Sequence, residues 1–178
     1  MVAVHNATIE AAITADLNGD GVEDHASVIR RGEDLRELSV VTSAAAGTNP
    51  AQVLSLDPGP LVDATLTMKG NVLLLEELTG GTTAVASTHR FRWDKKLGAM
   101  RLIGLDAMLY SRTFAHDASK VSWNLLTGAM ITQTERLNTG GGDLAYDKTT
   151  TRTSRRRSPP VRLENAPSGD VFFWPEQR

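Results

Sequence analysis

Residues 15–26 read ADLNGDGVEDHA and place four oxygen-bearing side chains, Asp16, Asn18, Asp20 and Asp24, within nine residues. Counted from Asp16, they fall at positions one, three, five and nine. Gly21 is sixth, and Val22 is seventh, where a backbone carbonyl coordinates in calcium loops. Calcium is a hard cation that takes about six to eight oxygens at roughly 2.3–2.6 Å, and alternate residues of a tight turn can all point inward to supply them. Position twelve is Ser27 rather than a bidentate Glu, and the flanks TIEAAITA and HASVIRR alternate as strands do. The loop is therefore expected to close a hairpin, not to join the two helices of an EF-hand. The competing reading is a plain turn, since Asn-Gly and Asp-Gly are the commonest hairpin pairs. A plain turn needs neither Asp16 nor Asp24, and three carboxylates so close together repel when no ion lies between them. The expected ligands are Asp16, Asn18, Asp20, Asp24 and the carbonyl of Val22. Calcium is preferred to magnesium because the loop offers many protein oxygens and no imidazole.

Other chemistry is sparse. His5, His25, His89 and His116 form no paired metal-ligand spacing. His116 sits beside Asp117 with Ser111 and Ser119 nearby, but neighbours in sequence do not make a triad, and no nucleophile-elbow pattern is present. Glu76 and Glu77 are adjacent, so on a strand they face opposite sides. The glycine stretches TGG and NTGGGD lack the following Lys-Ser/Thr of a phosphate loop. In SWNLLTG the expected arrangement is a core Trp123 beside an Asn124 that ties down the Thr127–Gly128 turn. With no cysteine, thiolate metal sites, disulfides and cysteine nucleophiles are excluded together. The chain is expected not to be an enzyme.

The elements that must hold the loop are short and β-rich. Runs near 8–15, 25–31, 35–42, 61–68, 71–78, 84–93, 99–106, 120–126, 129–137 and 143–153 are separated by turn residues such as NGDG, DPGP, KGN and TGG. The segment TSAAAGTNPAQVL reads as loop or weak helix. This pattern predicts an all-β, antiparallel fold, either small and propeller-like or a sandwich. The expected division is a calcium-binding domain over 1–150 and a connector with a closing strand over 151–178, the latter supplied by DVFFWP. No apolar run approaches the roughly 20 residues of a membrane helix, and MVAVHNATIE is not a signal peptide. Charge is uneven: residues 1–88 hold 12 acids and 4 bases, while 89–178 hold 9 acids and 15 bases. TSRRRSPP has no interleaved aromatics and the pI is near 6.1. It reads as a solvated arm, or one that meets an acidic partner surface, and not as a nucleic-acid site.

ADLNGDGVEDHASVI resembles the calcium loop of FG-GAP and VCBS-type repeats, where it connects two strands of a propeller blade. The order of that loop, then GNVLLLEELTGG, HRFRWDKKLGAMRLIGLD and SWNLLTGAMI, is similar to a group of small exported bacterial proteins over about residues 8–135. The resemblance implies a periplasmic immunity protein whose leader has been removed. Such a protein inhibits a lysozyme-like peptidoglycan hydrolase delivered by rival bacteria. The alternative is a calcium-stabilised structural or adhesive module of a surface assembly.

Overall fold

Alternating apolar and polar residues separated by turn formers build fourteen strands, and the computed structural model describes residues 7–140 and 145–174. In chain order they are β1 (Ala7–Ala15), β2 (Asp24–Arg31), β3 (Leu35–Val41), β4 (Ser43–Ala44), β5 (Gly47–Thr48), β6 (Gln52–Ser55) and β7 (Thr65–Lys69). There follow β8 (Val72–Gly80), β9 (Thr83–Asp94), β10 (Ala99–Ser111), β11 (Ala118–Asn124), β12 (Ala129–Leu137), β13 (Tyr146–Arg155) and β14 (Val161–Arg162). Two 3-10 turns, Leu163–Asn165 and Gly169–Phe172, complete the described chain. Among the described residues no helix is long and apolar enough to cross a membrane.

Every strand pairing is antiparallel. A small sheet runs in the order β1-β2-β3-β6, and a large one in the order β13-β12-β11-β10-β9-β8-β7, with β14 added beside β10. β4 and β5 form a separate two-stranded hairpin. The period-two pattern decides which side of each sheet is buried. In the small sheet Val28, Leu38 and Leu54 stand opposite one another and turn inward. In the large sheet Leu73, Phe91 and Leu102 form one inward row, and Leu75, His89 and Leu105 the next. These rows meet in one apolar cluster that also takes in Leu163. Burying each such Leu or Phe side chain contributes about 1.5–3 kcal/mol. Gln52 on β6 adds a polar tie between the sheets, its Oε1 accepting the Met100 amide at 2.7 Å.

The C-terminal segment packs onto the large sheet. β14 pairs with Arg101 and Leu102, and Leu163 is fully buried. Gly169 lies so close to β9 that a Cβ there would meet the Ser87 Cβ at 2.5 Å, so only glycine permits this approach. Phe172 meets Trp123 edge-on at 6.2 Å. DVFFWP therefore docks as expected but not as a strand. The Phe173 and Trp174 amides turn back to the Asp170 carbonyl, and Pro175 lies outside the described residues. The expected boundary at residue 150 falls inside β13.

Three further differences have local causes. TSAAAGTNPAQVL is not helical: a turn at Ala45–Ala46 closes the two-residue strands β4 and β5 onto each other, residues 49–51 are irregular, and β6 begins at Gln52. The run at 61–68 is strand only from Thr65. The start of the run at 143–153 lies outside the described residues.

Candidate calcium loop

The acidic stretch connects β1 to β2 as expected, with Ala15 paired to Asp24 at its mouth. Gly19 and Gly21 hold φ of 79° and 84°, the left-handed region that side chains with a Cβ avoid. Those two residues let the chain coil tightly enough for the carboxylates to fold back over the loop's own amides. Asp16 accepts from Gly19 (2.7 Å), Asp20 (3.2 Å) and Gly21 (2.9 Å) through its two oxygens. Asn18 Oδ1 accepts the Asp20 amide at 2.9 Å, and Asp20 Oδ1 accepts the Val22 amide at 2.8 Å. Asp24 is 1% exposed. It accepts Leu17 and Asn18 amides at 2.7 and 3.1 Å on Oδ2, and the Ser43 amide at 2.6 Å on Oδ1. Val22, whose amide Asp20 holds, is exposed.

Ser43, on β4, was not anticipated from the sequence. Its hydroxyl donates to Asp20 Oδ2 at 2.6 Å, and its carbonyl and hydroxyl both take the Asn18 side-chain amide at 3.1 Å. Asn49 braces the same carbonyl at 2.8 Å. The loop is thereby fastened to a third strand. The Ser43 hydroxyl is the leading reason the Asp20 carboxyl sits below the ordinary carboxylate range, and the Val22 amide adds to it. Nothing local in the sequence marks Ser43, since it is separated from the loop by β2 and β3.

The side chains of Asp16, Asn18, Asp20 and Asp24 lie in one loop and turn toward its backbone amides, and Val22 belongs to the same loop. A carboxylate pair of oxygens offers about four lone-pair directions, so Asp16, Asp20 and Asp24 each keep capacity beyond the amides they accept. Among the described residues none of the three has an ion-pair partner. Among the same residues no three His, Cys, Asp or Glu side chains stand in the arrangement of a metal centre. A bound cation would therefore draw the carboxylates partly away from the backbone amides. The donor set itself, all oxygen and with three carboxylates in it, fits calcium.

A second charged cluster, also unanticipated, lies between the sheets. Arg36 has a fully buried side chain. Its Nε donates to both Glu10 oxygens at 2.9 and 3.0 Å, and its Nη1 to Glu77 at 2.7 Å and the Asp57 carbonyl at 3.1 Å. Arg30 donates to the same Glu10 carboxylate at 2.9 Å and to the Pro58 carbonyl at 2.8 Å. One signal for this was present in the sequence, and a second feature shows only in the fold. Arg36 shares its strand face with the core residues Leu38 and Val40. Glu10 is the extra residue of a bulge between Ile9 and Ala11, which re-aims its side chain inward. Burial pushes the Glu10 carboxyl up, but the Arg36 and Arg30 hydrogen bonds, the Ala64 amide and the Arg36 charge outweigh it and leave it below the usual range. Burial likewise opposes the Arg36 charge, and bonding to Glu10 and Glu77 overcomes it. Glu76, next along β8, is exposed on the other face.

The remaining sequence candidates sit apart from both clusters. His116 bonds Thr83 Oγ1 at 2.9 Å, while the Ser111 hydroxyl accepts from the Thr113 and Ala115 amides. That is a turn, not a nucleophile and its base. Asn124 Oδ1 accepts the Leu126 and Thr127 amides at 3.0 Å, and Trp123 is buried beside it. In comparisons with known proteins the chain matches no family model, no curated protein and no solved structure.

Proposed function

We propose that the chain is a calcium-binding, sandwich-like binding protein of the periplasm. In this reading it is an immunity or inhibitor protein that blocks a lysozyme-like peptidoglycan hydrolase by occluding it. The observation that supports the calcium half is a loop that gathers three carboxylates and an Asn side chain at the joint of β1, β2 and β4, held by amides and one hydroxyl and with no cationic side chain paired to it among the described residues. The sandwich-like reading, rather than a propeller, rests on one four-stranded and one larger sheet sharing a single core.

The inhibitor half draws on the order of sequence motifs and on a broad open face of the large sheet. That face carries a concavity of about 410 Å³ lined by Thr88, Asp106, Met108, Lys120, Ile131 and Gln133. Asp106 there is held by Arg90 and by the Ser122 hydroxyl, and Lys120 pairs with Glu135 at 2.6 Å. An antiparallel sheet with one face in the core and one in water presents a rigid platform of this kind. Calcium would stiffen the small sheet that backs it. The test is co-purification of the calcium-loaded chain with a lysozyme-like peptidoglycan hydrolase, scored by loss of cell-wall lysis at equimolar inhibitor. Undiminished lysis with no complex on a sizing column contradicts the inhibitor reading, and an unchanged melting curve with calcium contradicts the other half.

A further inference from the structure

We infer that the free edge of β13 is a strand-addition site for an extended, acidic segment of a partner protein. Among the described residues β13 pairs with β12 on one side only and ends the large sheet. Every second N–H and C=O along its ten residues therefore points away from the sheet, a ready template for another strand. Thr149 to Arg157 are exposed on both faces, so no other described element covers this edge. Beyond its ladder with β12, the strand is tied at both ends. Tyr146 Oη accepts the Ser111 amide at 3.3 Å, the Arg156 amide donates to the Gly128 carbonyl at 2.8 Å, and Trp123 Nε1 donates to the Arg156 carbonyl at 2.9 Å. Proline, the usual blocker of edge pairing, is absent from the strand and occurs only beyond it, at Pro159 and Pro160. The β-branched run Thr149, Thr150, Thr151 and Thr153 favours the extended form.

Charge selects the occupant. The sequence from 148 to 163 holds no acid, and Arg152, Arg155, Arg156 and Arg157 have no ion-pair partner among the described residues. Glu135 on the neighbouring strand is engaged by Lys120. β13 itself carries one acid, Asp147, against the arginines Arg152 and Arg155, so an acidic strand complements it better than a second copy does. An acidic strand gains both the backbone ladder and cross-strand charge pairs. A nucleic acid would use the charges but leave the outward N–H and C=O groups unpaired, and no aromatic side chain is interleaved to stack bases.

The site deepens the reading of the chain as a binding protein and is independent of calcium. The test uses the full chain and three probes: an eight-residue Glu/Thr peptide, its Lys/Thr counterpart, and a single-stranded oligonucleotide of matched charge. The acidic peptide is expected to slow amide exchange along residues 149–155 and to bind about tenfold tighter than the basic one, as two or three cross-strand charge pairs predict. The double variant Arg152→Glu, Arg155→Glu reverses that preference, and Thr151→Pro abolishes the protection while calcium still raises the melting temperature. Equal binding of both peptides, protection elsewhere, binding of the oligonucleotide alone, self-association through β13, or no binding at millimolar peptide each overturns the inference. Protection by the acidic peptide that persists when no hydrolase complex forms keeps this site and discards only the inhibitor reading.

Discussion

The loop at 16–24 and the cluster between the sheets both crowd charge, and they dispose of it in opposite ways. Between the sheets two carboxylates, Glu10 and Glu77, face two guanidinium groups, Arg30 and Arg36, so the charges cancel within the protein. In the loop the carboxylates face backbone amides and one hydroxyl, which are dipoles, so the net negative charge is left over. A cluster closed on itself by opposite charge holds two sheets and a connecting loop in one register. A cluster satisfied only by dipoles has something to gain from a cation. The contrast separates a structural ion network from a candidate ligand site more sharply than the number of acids in either.

The largest effect is expected from breaking the closed cluster. Replacing Arg36 by Ala leaves Glu10 and Glu77 buried without their main partner and should cost about 3–5 kcal/mol by chemical denaturation. A comparable loss from removing one loop carboxylate in calcium-free buffer would erase the distinction drawn here. Next comes calcium itself. Saturation to a hundred times the dissociation constant should stabilise the native chain by about 2.7 kcal/mol, with no such gain in Asp16→Ala or Asp20→Ala, read from melting curves with and without chelator.

Much of this was legible in the sequence, and what was not has physical causes. That the acidic stretch closes the β1–β2 hairpin was readable because its residues are local: a turn of nine residues cannot hide its spacing. The strand pattern of β2 and β3 was readable because one face of each is buried and the other more open to water. The opposite orientations of Glu76 and Glu77 followed from the same alternation. Ser43 was not readable, because which turn a loop touches is decided by packing across two strands. Arg36 and Glu10 were half-readable. Arg36 sits in phase with Leu38 and Val40, but an arginine on a core face signals a partner only once the bulge at Glu10 is known. DVFFWP was correctly seen as apolar enough to dock, whereas its 3-10 form depends on Asp170 gathering the Phe173 and Trp174 amides.

Smaller effects sharpen the comparison through pH. His89 is 1% exposed, stacked on Phe91, and bonded through Nε2 to the Pro167 carbonyl at 2.9 Å. Burial holds its imidazole below the ordinary 6.5, although the Pro167 carbonyl and Glu77 pull the other way. As pH falls below about 6.5 the unfolded chain takes a proton that the folded chain refuses. Stability should therefore decline, by at most about 1.4 kcal/mol per pH unit. A His89→Gln variant should flatten that slope, and an unaltered slope would remove His89 from the account. Glu10 is also depressed and acts lower: its contribution is present above about 4.5 and is lost as pH falls through its folded value. Glu10→Gln should reduce the acid limb, to which Asp20, Asp94 and Glu164 also contribute, while leaving the His89 limb in place. Smallest is Ser43→Ala, expected to cost about 1 kcal/mol and to loosen the loop without touching the buried cluster. Unchanged amide exchange at residues 17–22 in that variant would show that Ser43 does not fasten the loop.

The most direct measurement is calorimetric titration of the chelator-stripped chain with calcium, run in parallel on Asp20→Ala. One saturable site in the native chain and none in the variant is the predicted result. Absence of binding heat in the native chain, or an identical isotherm in Asp20→Ala, would mean that the leftover charge of the loop is carried by solvent alone.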